Sequence, residues 1–211
     1  MNSPSQKDDR LKAKSRRRYQ DLSSFRLPDG FRGRSALIVQ LWWLVEATLF
    51  APSPQFLYGW RRFLLRLFGA RVGRKVLLRP SMRVTYPWKV AIGDHSWIGD
   101  DVTLYSLGPI IIGAHSVVSQ GSYLCTGSHD MNAVDFPIYE KNIRIGDEVW
   151  IASQSFVGPG VSIGDGAVVG ARSLVLADVP AAAIGHGHPF CVLRWRIDQT
   201  QRSNSNGEAS S

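Results

Sequence analysis

The chain has 211 residues, 44% of them hydrophobic and 20% charged, which supplies a sizeable core and excludes a compositionally disordered protein. Twenty Gly and eleven Pro without a Gly-x-y period exclude a plain helical bundle and a collagen-like rod, and two cysteines exclude a disulfide framework. The net charge of +8 is unevenly divided: residues 1–89 hold 19 of the 25 Lys and Arg against five acids, and residues 90–211 hold twelve acids against six basic residues.

Residues 1–35 are predicted to be a basic, largely disordered arm, since Lys7, Arg10, Lys12, Lys14, Arg16, Arg17 and Arg18 accompany almost nothing apolar. The N-terminus has no uncharged apolar core followed by a small-residue cleavage site, so a cytoplasmic chain is expected. The arm carries no nucleic-acid readout motif, and nucleic acid is not an expected partner.

Residues 36–71 read as a helical segment. Ala36–Phe50 is apolar except for Gln40 and Glu46, and is shorter than the roughly 20 residues a membrane span requires. After Ala51-Pro52-Ser53-Pro54, the residues Phe56, Trp60, Phe63, Leu64 and Leu67 recur at helical spacing beside Arg61, Arg62 and Arg66. Two helices joined by a proline turn are predicted. They have two open uses: an interfacial patch held against anionic lipid at the inner face of the cytoplasmic membrane, or a pair packed on the rest of the protein.

A six-residue period begins at Val72. Val72, Leu78, Val84, Ile92, Ile98, Leu104, Ile112, Val118, Leu124, Ile145, Ile151, Val157, Ile163, Val169 and Val175 are all aliphatic, and Gly follows many of them, as at 73, 93, 113, 146 and 164. One inward aliphatic residue and a tight corner every six residues fit neither a helix nor a simple strand. They describe short strands closing triangular coils, which stack into a solenoid over 72–190, with Gly supplying permissive backbone at crowded turns. Between Leu124 and Ile145 the period breaks, leaving a loop over 125–144 of a length that is usually functional. Residues 191–211 read as a C-terminal segment and disordered tail.

His129 stands where a coil ends and this loop begins. Taken alone it is either a structural ring or a general base, imidazole being the side chain best suited to accept a hydroxyl proton near neutral pH. His95 and His115 occupy the fourth places of their hexapeptides and read as surface turn residues, while His186 and His188 read as loop residues. No pair of histidines close in sequence lies on the solenoid, so a metal site is not expected. Cys125, second in its hexapeptide, reads as a small packing residue rather than a nucleophile.

The motifs Ile92-Gly-Asp-His-Ser-Trp-Ile-Gly-Asp-Asp101, Ile145-Gly-Asp-Glu-Val-Trp-Ile-Ala152 and Val157-Gly-Pro-Gly-Val-Ser-Ile-Gly-Asp165 resemble the left-handed parallel β-helix acyltransferases, the hexapeptide-repeat enzymes. Phe31-Arg-Gly-Arg34, Val39-Gln-Leu-Trp-Trp43 and Tyr123-Leu-Cys-Thr-Gly-Ser-His-Asp130 are similar to the branch acting in colanic acid biosynthesis. The resemblance implies a mainly β fold, with left-handed coils after the N-terminal helical segment. It implies an acetyl-CoA-dependent O-acetyltransferase in which His129 is catalytic, and a cyclic homotrimer. By the same resemblance Trp150 lies beside the acceptor cleft, unless it caps the prism; the family's acceptor-binding Asn is missing here, and Asp100 and Asp101 are the nearest polar substitutes, to bind the acceptor's hydroxyls or merely to form turns. Ser153 and Ala171 line the pantetheine arm. Arg172, Arg194 or Arg196 meets the nucleotide phosphates, and Arg194 is otherwise a solvated charge. The expected acceptor is a sugar hydroxyl on a lipid-linked glycan. The alternatives are an enzyme for small free sugars or xenobiotics, and a non-catalytic scaffold binding through residues 1–70.

Overall fold

The computed structural model describes residues 18–196; the basic residues up to Arg17 and the Ser- and Asn-rich tail lie outside that range. The described chain forms two compact units, residues 18–29 with His129–Tyr139, and Gly30–Ser128 with residues 140–196.

The larger unit is a solenoid of three sheets whose coil strands, of two or three residues each, pair in parallel. Val72, Ile92, Ile112, Ile145 and Ile163 align across the first sheet. Leu78, Ile98, Val118, Ile151 and Val169 align across the second. Val84, Leu104, Leu124, Val157 and Val175 align across the third. The periodic aliphatic positions thus become three columns, every member buried. A strand this short buries too little alone, and its stability comes from the coils above and below it. Small inner residues complete the corners: Ser96 Oγ donates to the Gly113 carbonyl at 2.7 Å and Ser116 Oγ to that of Gly146 at 2.8 Å, each one coil further on.

The glycines after the inward aliphatic residues serve spacing rather than backbone angle. A methyl added at Gly93 would lie 2.5 Å from the Ala114 nitrogen of the next coil. The left-handed corner positions two residues later are filled by Lys75, His95, His115 and Glu148, with φ of 53°, 61°, 56° and 57°. Gly93→Ala therefore forces two coils apart and is expected to cost about 1–3 kcal/mol, read as a lower urea midpoint. An unchanged midpoint would show that the stack absorbs a methyl. The aspartate after such glycines ties coils together. Asp94 Oδ1 accepts the Arg74 N–H, Asp147 Oδ1 that of Ala114, and Asp165 Oδ1 that of Asp147, at 2.8, 2.7 and 2.8 Å.

The first coil has no neighbour beyond it, so its backbone groups need other partners. The helices Ala36–Val45 and Tyr58–Leu67 provide them. Trp42 Nε1 donates to the Val84 carbonyl at 2.7 Å, and the Val84 N–H donates to Glu46 Oε1 at 2.8 Å. Arg61 Nε donates to the Leu78 carbonyl at 2.6 Å, Arg62 to Val76 at 2.8 Å, and Arg66 to Val72 and Gly73 at 2.6 and 2.8 Å. Arg61, Arg62 and Arg66 are thus bound to the solenoid, because its open edge presents carbonyl acceptors. A wider π turn over Glu46–Phe50 keeps Phe50 on the same inner face as Trp42 and Glu46. At the other end Ala183–His186 and Cys191–Trp195 close the second sheet as an antiparallel pair.

The smaller unit departs from the expected disordered arm over residues 18–29. Asp21 caps a 3₁₀ turn, Leu22–Ser24, accepting from the Ser23 N–H and hydroxyl at 3.2 and 2.6 Å. The Asp21 N–H donates to the Val134 carbonyl at 2.7 Å, and Phe25 supplies an apolar anchor.

Candidate active site

The long loop leaves the solenoid through Gly127–His129 and returns through Ile138–Glu140, strands that pair with each other. Within the smaller unit the Asp130 N–H donates to the Pro137 carbonyl at 3.0 Å and that of Asn132 to Asp130 Oδ1 at 2.9 Å, so the loop carries its own turn structure. His129 Nδ1 lies 2.9 Å from the Phe136 carbonyl oxygen. A carbonyl only accepts, so Nδ1 is the donor in this contact and Nε2 is the ring nitrogen it leaves open. The ring stacks on Phe136 with centroids 4.3 Å apart and planes 8° apart, and Phe25 leans against it at 6.1 Å. The imidazole is half-buried and held in rotation by these contacts. Phe25 and Phe136 were not singled out from the sequence. Phe25 lies 104 positions before His129, and no local pattern links them.

In the larger unit, a cleft of about 420 Å³ runs along the second sheet and is lined by Tyr58, Arg79, Trp97, Asp100, Ser119 and Gln120 among others. Asp100 is held on both oxygens: Arg79 Nε donates to Oδ2 at 2.7 Å and Ser81 Oγ to Oδ1 at 3.0 Å. That carboxylate raises the pKa of Arg79. Tyr58, from the second helix, hydrogen-bonds Gln55 and Arg79, which lowers its own pKa. Asp101 adopts a left-handed turn, φ 55°, and its N–H donates to Ser81 Oγ at 3.0 Å, which is the turn role left open by its sequence. Trp150 is half exposed on the same sheet, and its Nε1 donates to the hydroxyl of Ser119, a residue of the cleft, at 3.0 Å. The outward neighbours Trp97, Val117 and Trp150 are aligned across the sheet.

Ser153 and the pair Ala171–Arg172 sit on successive coils, joined by the Arg172 N–H donating to the Ser153 carbonyl at 2.8 Å. Arg172 and Arg194 are exposed, the latter opposite Ile184 on the terminal strand. Arg196 differs, since it donates to the carbonyls of Glu148 and Gly166 at 3.1 and 3.3 Å and is engaged by the scaffold. Burial pushes the Cys125 thiol up in pKa, which does not favour a thiolate, and its Sγ lies 3.2 Å from the Gly127 carbonyl oxygen.

His95 and His115 are twenty residues apart, yet successive coils stack their rings with centroids 5.0 Å apart and planes 8° apart. On a solenoid, residues one coil apart become neighbours. Among the described residues, no group of three or more His, Cys, Asp and Glu is placed to hold a metal ion.

Residues 142–177 match the family described as bacterial transferase hexapeptide (six repeats), and residues 89–125 match the hexapeptide repeat of succinyl-transferase. The chain is 59% identical over 179 residues to the colanic acid biosynthesis acetyltransferase WcaF of Escherichia coli K12, covering 85% of this chain and 98% of that protein. It is 28% identical over 137 residues to the galactoside O-acetyltransferase of the same organism, covering 64% and 68%. Among solved structures, the hexapeptide-repeat acetyltransferase VCA0836 of Vibrio cholerae, complexed with acetyl coenzyme A, superposes with a TM-score of 0.71 at 28% identity, over 79% of this chain and 92% of that one.

Proposed function

The chain belongs to the hexapeptide-repeat acetyltransferases, enzymes built on a left-handed parallel β-helix, and from that premise we propose that it moves acetyl from acetyl-CoA to a sugar hydroxyl during exopolysaccharide assembly of the colanic acid type. The observation that carries the reading is His129, whose Nδ1 is committed to the Phe136 carbonyl. Nε2 takes the proton of the acceptor hydroxyl as its oxygen adds to the thioester carbonyl carbon. The tetrahedral adduct collapses with cleavage of the C–S bond, and the imidazolium returns the proton to the departing thiolate. The products are an acetyl ester and coenzyme A thiol.

Acetyl-CoA is the co-substrate. Ser153 and Ala171 line its pantetheine arm in this reading, and Arg172 and Arg194 meet its phosphates, a charge-assisted role that Arg196 gives up to the scaffold. Asp100 and Trp150 bind the acceptor, with Arg79 and Ser81 holding the Asp100 carboxylate in place. Asp101 shapes the adjoining turn and offers the acceptor its exposed side chain. The active form is a homotrimer, since a narrow solenoid exposing Trp97 and Trp150 on one sheet has a flat apolar face to cover.

The acceptor is proposed to be a lipid-linked glycan at the inner face of the cytoplasmic membrane. No helix among the described residues is long and apolar enough to cross a membrane, so the contact would be peripheral. Thiol release from acetyl-CoA, measured with membrane-extracted lipid-linked glycans and with free sugars, decides the acceptor. Release with the lipid-linked pool alone is expected. Release with free sugars would assign the protein to small-sugar acetylation, and release with neither would favour the scaffold.

A further inference from the structure

We propose that the outer face of the two N-terminal helices is a docking surface for anionic phospholipid. The proposal deepens the reading of a lipid-linked acceptor but stands on a separate observation, the composition and exposure of this face.

From Ala36 to Trp60 the only charged side chain is Glu46, and its carboxylate is bound to the Val84 N–H. The helix Ala36–Val45 is apolar nearly all round. Val39 and Trp42 are buried, whereas Leu37 is 82% exposed and Leu41 52% exposed, with Leu44 continuing the stripe at i, i+4, i+7. A helix apolar on every side belongs in a core or against lipid, and the core here takes only one side. The helix Tyr58–Leu67 repeats the arrangement. Arg61, Leu64 and Leu65 are buried, while Trp60, Phe63 and Leu67 form an exposed stripe in which the Trp60 and Phe63 rings stack at 5.7 Å. The segments adjoin, because Trp60 Nε1 donates to the Leu49 carbonyl at 3.0 Å.

Charge selects lipid as the occupant. Residues 1–35 carry ten Lys and Arg against four acids. The sequence leading into these helices is thus strongly basic, and an anionic bilayer surface attracts a basic segment, whereas a second copy of the same charge does not. The stretch is too short to span, and Trp, Phe and Leu beside basic residues is the composition of a helix lying in the interface plane. Arg61, Arg62 and Arg66 are bound to solenoid carbonyls, so the attraction belongs to the basic residues upstream of the helices.

Flotation of the full chain with phosphatidylcholine vesicles, with and without phosphatidylglycerol, tests this without acetyl-CoA or acceptor, so its outcome is independent of the acetyl-transfer reading. Binding that requires phosphatidylglycerol is expected. The double variant Leu41→Glu, Phe63→Glu is expected to lower vesicle partitioning by about tenfold or more, with an unchanged thermal midpoint and sedimentation mass. If the double variant does not fold, Leu37→Glu alone is used. Failure of the full chain to float, undiminished binding by the variant, or a change in sedimentation mass marking a copy-to-copy interface would each overturn the proposal.

Discussion

Replacing His129 with alanine is expected to lower the turnover of acetyl transfer by about 10²–10⁴-fold, the usual contribution of a positioned general base. The structural basis is one hydrogen bond and two ring contacts. Nδ1 at 2.9 Å from the Phe136 carbonyl fixes the tautomer, and Phe136 and Phe25 fix the plane. The same contacts give the ring a packing role, so loss of rate alone does not distinguish chemistry from folding. The discriminating readouts are the KM for acetyl-CoA and the urea midpoint. A base acts in the transition state, so kcat falls while KM for acetyl-CoA stays near that of the parent. His129→Gln retains a side chain that can bond the Phe136 carbonyl but supplies no base, and its rate is expected to stay as low as that of alanine. Recovery of rate in the glutamine variant, or near-normal turnover in either, would remove His129 as the base.

Arg61→Ala is expected to be the most destabilising exchange in the N-terminal helices, at about 3–5 kcal/mol. The residue is completely buried and its guanidinium is shared among four acceptors. Nε donates to the Leu78 carbonyl at 2.6 Å, Nη1 to Ser53 Oγ and the Pro54 carbonyl at 2.8 and 2.9 Å, and Nη2 to the Gln55 carbonyl. Tyr58 adds its ring at 5.0 Å. Burial lowers the arginine's pKa, but a guanidinium remains charged at any ordinary pH. Removing it orphans carbonyls of the proline turn and of the solenoid's first coil at once, and each buried orphan costs about 1–3 kcal/mol. At roughly 2–4 °C per kcal/mol for a chain of this size, the thermal midpoint falls by about 10 °C. Arg61→Lys recovers only part of this, because one ammonium cannot fork to the turn and the strand together. A loss below about 1 kcal/mol would mean that the helices do not depend on this clamp.

Much of this was legible in the chain itself. The repeat phase named the fifteen aliphatic residues of the three columns, since that inward position recurs with each strand whatever the neighbouring coil contains. The loop and His129 were legible as the point where that phase breaks. The I-G-D motif was visible, but its work was not: Asp94 and Asp147 accept N–H groups 20 and 33 positions earlier in the chain, and spacing alone does not show which coil lies alongside.

Arg61, Arg62 and Arg66 show where the boundary falls. In sequence they are cations beside an apolar stripe, equally suited to a lipid headgroup or to a packed helix. Their acceptors exist only because the solenoid ends there and leaves a row of carbonyls unpaired. Phe25 likewise acquires a role only when residues 18–29 meet the loop after Leu124. The sequence by itself determined the repeat, its three inward columns, the interruption and the histidine at its edge, because these depend on local periodicity. The tertiary structure decided which cations are structural, which ring nitrogen of His129 is open, and which apolar side chains remain outside, because each depends on partners distant in the chain.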